Sequence, residues 1–109
     1  MSSIASVSVD QAGGVTAELI PAITGYRVEV LGFVLAVGGA AVTVKSTLQD
    51  TTANTVRMTL VGNATTPVVY VYPGQRENPA WVGALSEGLE LVAGTASAIA
   101  GFITYRYVK

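Results

Sequence analysis

The sequence predicts an all-β fold: a single-domain antiparallel β-sandwich, jelly-roll-like, with about eight strands. Val, Ile and Thr favour strands over helices, and together they make up 34 of the 109 residues. Gly, Pro and Asn interrupt the chain at intervals of about 8–12 residues, a spacing typical of sandwiches and barrels. No segment repeats apolar residues with a sustained helical period. The best helical candidate, residues 81–92, contains Gly83 and Gly88, so we expect at most a helical turn there.

Two short strands are expected near the N-terminus. In residues 4–9, Ile and Val alternate with Ser, which predicts a short strand or an extended arm. Residues 15–20 are mostly apolar and β-branched, and Pro21 ends this second strand. The glycines between the two strands are a candidate hinge. We therefore divide the chain into an N-terminal extended arm or edge strand, residues 1–13, and a jelly-roll domain, residues 14–109.

The third strand, residues 26–37, changes character along its length. Its first part alternates charged and apolar side chains, which indicates one exposed face. Residues 30–37 are apolar on both faces, which predicts burial by the chain's own core on one side and by another chain on the other. A turn is expected at Gly38 and Gly39, before a fourth strand at residues 41–48.

The second half of the chain is expected to form four more strands. Residues 55–61 alternate cleanly, so Val56, Met58 and Leu60 are expected to face the core. The later strands are apolar runs that contain Val, Tyr or Leu and follow loops rich in Gly and Pro. They are expected at residues 67–72, 89–92 and 98–108.

The composition indicates that this chain hides part of its surface. Charged residues make up 12% of the chain, about half the usual share of about 25%. A membrane is not the expected partner, because the longest uncharged run, between Arg57 and Arg76, contains Gly and Pro. Nucleic acid is not expected either, since the net charge is −1 and there is no basic cluster. The N-terminus does not resemble a signal peptide, so we expect the protein to be made in a cytoplasm.

Catalysis is not expected. The chain contains no Cys and no His, which excludes thiolate metal sites, Cys nucleophiles and imidazole acid–base chemistry. The closest carboxylates, Glu87 and Glu90, suggest a hydrolase as a remote alternative, and a polar turn before a strand as the preferred interpretation. We therefore expect no enzyme activity, no cofactor and no metal site.

Aromatic and Arg side chains leave two interpretations open. Tyr70 and Tyr72 share one strand face, and with Trp81 they suggest either a stacking platform for sugars or packing at the edge of the core or at a subunit interface. The Arg residues on strand faces fit either an interface or pairing with Glu18 or Glu29. The candidate oligomer or capsid interface residues are Leu31, Phe33, Leu35, Val37, Arg57, Tyr70, Tyr72, Trp81, Tyr105 and Tyr107.

Three segments resemble small virion proteins of tailed bacteriophages. They are residues 20–30 (IPAITGYRVEV), residues 78–81 (NPAW) continuing to residues 85–91 (LSEGLEL), and residues 101–105 (GFITY). They resemble an opening with Pro-Ala and Gly-x-Arg, a segment with Pro, Trp and Gly-Leu-x-Leu, and a close with Gly-x-x-x-Tyr. Members of that kind are jelly rolls, and several are head decoration, or cement, proteins that sit as trimers on the capsid.

This resemblance implies a function for the chain. It implies a capsid decoration protein that binds the outer shell as an oligomer and bridges neighbouring capsid subunits. The implied partners are further copies of the chain, as a homotrimer, and the major capsid protein. The implied location is the capsid surface of the virion, after synthesis in the host cytoplasm. The alternative is a fibre or tail component that binds a host glycan through Tyr70, Tyr72 and Trp81.

Overall fold

The protein is an antiparallel β-sandwich of two sheets, which confirms the predicted fold class. The computed structural model describes residues 3–39, 44–63, 66–74 and 77–109, and none of these residues is helical. The described residues form nine strands: β1 (Ala5–Ala12), β2 (Thr16–Ile20), β3 (Arg27–Gly39), β4 (Val44–Asp50), β5 (Val56–Gly62), β6 (Val68–Tyr72), β7 (Trp81–Val82), β8 (Leu89–Val92) and β9 (Ser97–Val108).

The strand order is that of a jelly roll. Sheet I has the order β1-β9-β3-β6, with β7 also paired to β3, and sheet II has the order β2-β8-β4-β5. The antiparallel pairs β1·β9, β2·β8, β3·β6 and β4·β5 join the first half of the chain to the second half in reverse order. The chain is therefore one long antiparallel ribbon that is wound over two packed sheets.

Each of the eight predicted strands is present, with ends displaced by up to three residues. The turn expected at Gly38 and Gly39 was wrong, because β3 continues through Gly39. Residues 40–43, where the start of the fourth strand was expected, lie outside the described residues. The strand that sequence reasoning missed is β7, which has two residues and is too short to show a pattern. It follows β6 along the same edge of β3.

The core lies between the sheets and takes side chains from both. Its fully or nearly buried members are Val9, Ile20, Val28, Val30, Phe33, Leu35, Val37, Leu48, Leu60, Leu89, Leu91, Ile99 and Ile103. The expectation that Val56 faces the core was wrong. The β4–β5 register shifts by one residue at Arg57, so Val56 lies opposite Gln49 and is 52% exposed.

A second bulge lies in β3. Val30 pairs with Tyr105 of β9, and Gly32 pairs with the next residue, Thr104, so Leu31 is an extra residue in β3. Side chains of even number face the core before the bulge, and those of odd number face it afterwards. Residues 28–33 are all buried, and the alternation returns beyond them.

Gly101 allows the two central strands of sheet I to lie close together. Its φ is +148°, and a Cβ at this position would overlap the carbonyl oxygen of Val34. We expect Gly101→Ala to lower the free energy of unfolding by about 2–4 kcal/mol, because the backbone strain and the overlap of the new Cβ with the Val34 carbonyl both destabilise the folded state. Urea denaturation measures this change.

Gly74→Ala is the matched control for this substitution. A Cβ on Gly74 meets no atom within 4 Å and its φ is not in the left-handed region, so we expect little change. Equal midpoints for the two variants would contradict the close approach of β9 to β3.

Candidate functional site

Four of the predicted interface residues lie in the chain's own interior. Leu35 and Val37 are fully buried, Leu31 is 1% exposed and Phe33 is 7% exposed. Three of them belong to the core between the sheets, and Leu31 is buried at the bulge of β3. Their assignment to an interface was wrong, because beyond the bulge the odd-numbered side chains of β3 point inward.

The outward side of the same strand carries Val34 and Ala36. Val34 pairs with Val71 of β6 and Phe102 of β9, and these three form one row of side chains across sheet I. The next row joins Ala36 to Val69 and Ala100. With Ala98 beyond them, these side chains cover the outer side of sheet I. We name this surface the apolar face: Val34, Ala36, Val69, Val71, Ala98, Ala100 and Phe102.

The largest side chains of the apolar face are open to solvent. Val71 is 64% exposed, Val69 is 57% exposed and Phe102 is 46% exposed. On the fourth strand of the sheet, Ser8 and Asp10 of β1 continue the two rows. A contiguous apolar surface that has a polar rim is typical of an interaction site.

The outer side of sheet II has the opposite character. Lys45, Thr47 and Gln49 of β4 alternate with buried residues and point outward, beside Glu90 of β8. Val56, Val61 and Val92 are the apolar members of this surface. We name it the polar face: Glu18, Lys45, Thr47, Gln49, Val56, Thr59, Val61, Glu90 and Val92. One sandwich therefore has one apolar and one polar outer surface.

The predicted tyrosine pair of β6 points into the sandwich. Tyr70 reaches across to sheet II, where its hydroxyl accepts a hydrogen bond from the Val61 N–H at 2.9 Å and donates one to the Val61 carbonyl at 3.0 Å. Tyr72 stacks on Phe33 with ring centroids 6.0 Å apart, and its hydroxyl donates to the Asn78 carbonyl at 3.1 Å. Both side chains therefore serve the sandwich itself.

Trp81 also packs on the core. Its ring lies 6.1 Å from that of Phe33, and the side chain is half-buried. Tyr105 and Tyr107 of β9 share one face, as expected, and their rings meet edge to face at 5.8 Å. Tyr107 also contacts Tyr26 edge to face at 6.4 Å. Its hydroxyl donates to the Pro21 carbonyl at 2.6 Å, and burial, with smaller effects of Tyr105 and Glu18, raises its pKa.

The Arg side chains are held by internal partners. Arg57 donates to both carboxylate oxygens of Asp50, at 3.1 and 2.7 Å, and Asp50 is almost completely buried. The hydrogen bonds to Asp50 raise the pKa of Arg57, against an opposing effect of desolvation. Arg106 pairs with Glu29 at 2.6 Å, which is one of the two pairings expected for these residues. Arg27 donates to the Gly83 carbonyl at 3.4 Å.

The two candidate catalytic carboxylates accept hydrogen bonds from β4 and from the loop between β4 and β5. Glu87 accepts from the N–H groups of Thr52 and Ala53 at 2.7 and 2.8 Å. Glu90 accepts from the side-chain amide of Gln49 at 2.7 Å. This arrangement fits the preferred interpretation, a polar turn, and gives the hydrolase alternative no support.

Comparisons with known proteins add no assignment. No protein-family model matches the chain, and no curated protein sequence matches it. Within the described ranges, no three or more acidic side chains are grouped so that they could hold a metal ion. The described part of the chain also contains no helix long and apolar enough to cross a bilayer.

Sequence reasoning predicted an apolar outer side for residues 30–37, but it named the wrong side chains for that side and missed Val69, Val71 and Phe102 on the neighbouring strands. The period-two pattern beyond Leu31 contains the signal, because Val34 and Ala36 alternate with the buried residues of β3. Val69 and Val71 likewise alternate with Tyr70 and Tyr72. The bulge hides which of the two sets points inward, and only the pairing with β9 decides it.

We expect Arg57→Gln to lower the free energy of unfolding by about 2–3 kcal/mol, because it leaves the buried Asp50 carboxylate without its charged partner. Chemical denaturation measures the loss. Arg27→Gln is the control and should change stability by less than about 0.5 kcal/mol. Replacement of both partners, Asp50→Asn with Arg57→Gln, should recover part of the loss. Equal stability of Arg57→Gln and wild type would contradict the pairing.

We expect Tyr70→Phe to cost about 1 kcal/mol of stability, because both hydrogen bonds between the sheets are lost. Amide hydrogen exchange at Val61 should become faster in this variant. Tyr72→Phe, which removes a bond to the loop at Asn78, should leave the exchange of Val61 unchanged. Unchanged exchange in both variants would show that Tyr70 does not join the sheets.

Proposed function

We propose that this chain is a structural protein of a tailed-phage virion. In this proposal it is a capsid decoration protein, binds the outer shell as an oligomer, expected to be a homotrimer, and bridges neighbouring capsid subunits. Its location is the capsid surface, after synthesis in the host cytoplasm. The resemblance of residues 20–107 to small jelly-roll virion proteins supports this assignment, and so does the jelly-roll strand order.

The contrast between the two outer surfaces carries the proposal. A small sandwich with one apolar and one polar outer surface is stabilised when another surface covers its apolar side. A protein that holds an assembly together needs such a surface. The low charge of the chain, 12% of residues, has the same explanation.

The chain would act by binding and by no chemical step. A molecule that binds the assembled shell better than its separated subunits stabilises the assembled state by mass action. At a free concentration 100 times the dissociation constant, each occupied site contributes about 2.7 kcal/mol. The internal hydrogen bonds of Tyr70, Arg57 and Glu87 suit this role, because they hold the strands and loops of the sandwich in place.

We do not carry the glycan-binding alternative forward. It needs Tyr70, Tyr72 and Trp81 as an exposed platform, and these side chains pack on the core. The hydroxyls of both tyrosines are bonded within the chain.

The test uses phage capsids that lack the protein. We expect purified protein to bind them and to raise the temperature at which they release DNA, followed with a DNA-binding dye. Serum albumin at the same concentration is the control and should have no effect. Depleted capsids that resist heat and low salt as well as complete capsids would rule out the cement role.

A further inference from the structure

We infer that the apolar face is the surface through which copies of this chain contact each other. This inference rests on the proposed function, because it names a surface through which copies of the chain associate. Contact of this face with the same face of another copy is two-fold and joins two copies, so a homotrimer would use a further contact. The occupant of the face is thus a second copy of this chain.

The size of the apolar face suits a modest interface. With strands about 4.8 Å apart and about 3.4 Å per residue, four strands and three rows of side chains cover about 400 Å² on each copy. Two copies would therefore bury about 800 Å² of flat area, to which protruding side chains add more. Specific interfaces begin at about 1,000 Å², so an interface of this size is weak. We therefore expect the oligomer to dissociate at low protein concentration.

Charge decides which surface matches this face. Val34, Ala36 and their five apolar neighbours offer no charged group, so a charged partner surface would lose water without gaining an ion pair. The polar face of sheet II is excluded as the counter-surface by Glu18, Lys45 and Glu90, whose charges would be desolvated against apolar side chains without gaining an ion pair. The surface on this molecule that matches the apolar face is the same face on another copy.

The rim argues against a lipid surface as the occupant. Side chains that flank membrane-binding surfaces are typically Lys, Arg, Trp or Tyr. Here Ser8 and Asp10 of β1 flank the face on one side, and Thr104 of β9 extends it toward the paired Glu29 and Arg106. A carboxylate at the rim repels anionic headgroups, whereas it can stay hydrated at the border of a protein interface.

The test compares two substitutions of exposed strand valines. Val71 of β6 lies on the apolar face and is 64% exposed, and Val56 of β5 lies outside it and is 52% exposed. Sedimentation equilibrium over a series of micromolar concentrations gives the dissociation constant of each protein. We expect wild type and Val56→Asp to form the same oligomer. Val71→Asp should dissociate at least about tenfold more readily, because association would bury its carboxylate.

A second variant separates loss of association from loss of folding. Phe102→Thr places a β-branched residue that favours strands in β9 and removes apolar surface, so it should also weaken association. Circular dichroism and urea midpoints should show that the variants remain folded. An oligomer that is unchanged in both Val71→Asp and Phe102→Thr would overturn the inference, and so would a wild-type protein that stays monomeric.

The same experiment distinguishes this inference from the proposed function. If wild type associates through the apolar face and does not bind depleted capsids, the cement role fails and the inference stands. If monomeric wild type binds and stabilises capsids, the inference fails and the cement role stands.

Discussion

The one-residue bulge at Leu31 in β3 decides how the rest of sheet I is arranged. β3 is one of the two central strands of that sheet and pairs with the other, β9, along most of its length. Because side chains alternate along a strand, one extra residue reverses the side on which every later side chain lies. Phe33, Leu35 and Val37 therefore enter the core, and Val34 and Ala36 are left outside. Without the bulge, the smaller set would fill the core and the larger set would face solvent.

Polar contacts between strands and loops hold the side chains in the positions that this alternation sets. Tyr70 joins the edge of sheet I to the edge of sheet II, and Arg57, the extra residue of the bulge in β5, pairs with the buried Asp50. Glu87 binds the backbone of the loop that follows Asp50. These contacts pair the polar side chains within the chain, and none of them covers the apolar face.

The sequence was sufficient to predict the class and the strands but not which side of each strand is buried. Composition and turn spacing placed eight strands to within three residues, because β-branched runs and Gly or Pro turns are local signals. A bulge gives only a weak local signal: Gly32 interrupts the apolar run of residues 30–37, as a glycine at a bulge does, but it does not mark Leu31 as the extra residue. The same holds for Val56. It alternates with its neighbours as a core residue would, and only the register shift at Arg57 turns it outward. The buried partner of Arg57 was missed as well, because Asp50 lies in a polar stretch that reads as a loop.

The central claim is that β3 turns Val34 outward onto a surface that a second copy covers. Methyl NMR with a soluble nitroxide measures this directly, because the nitroxide broadens signals of solvent-accessible methyl groups. We predict that the methyl groups of Val34, Val69 and Val71 are broadened in dilute protein and protected at concentrations where the oligomer forms, while those of Val56 stay broadened at both. Equal broadening of Val34, Val69 and Val71 in dilute and concentrated protein would contradict the account.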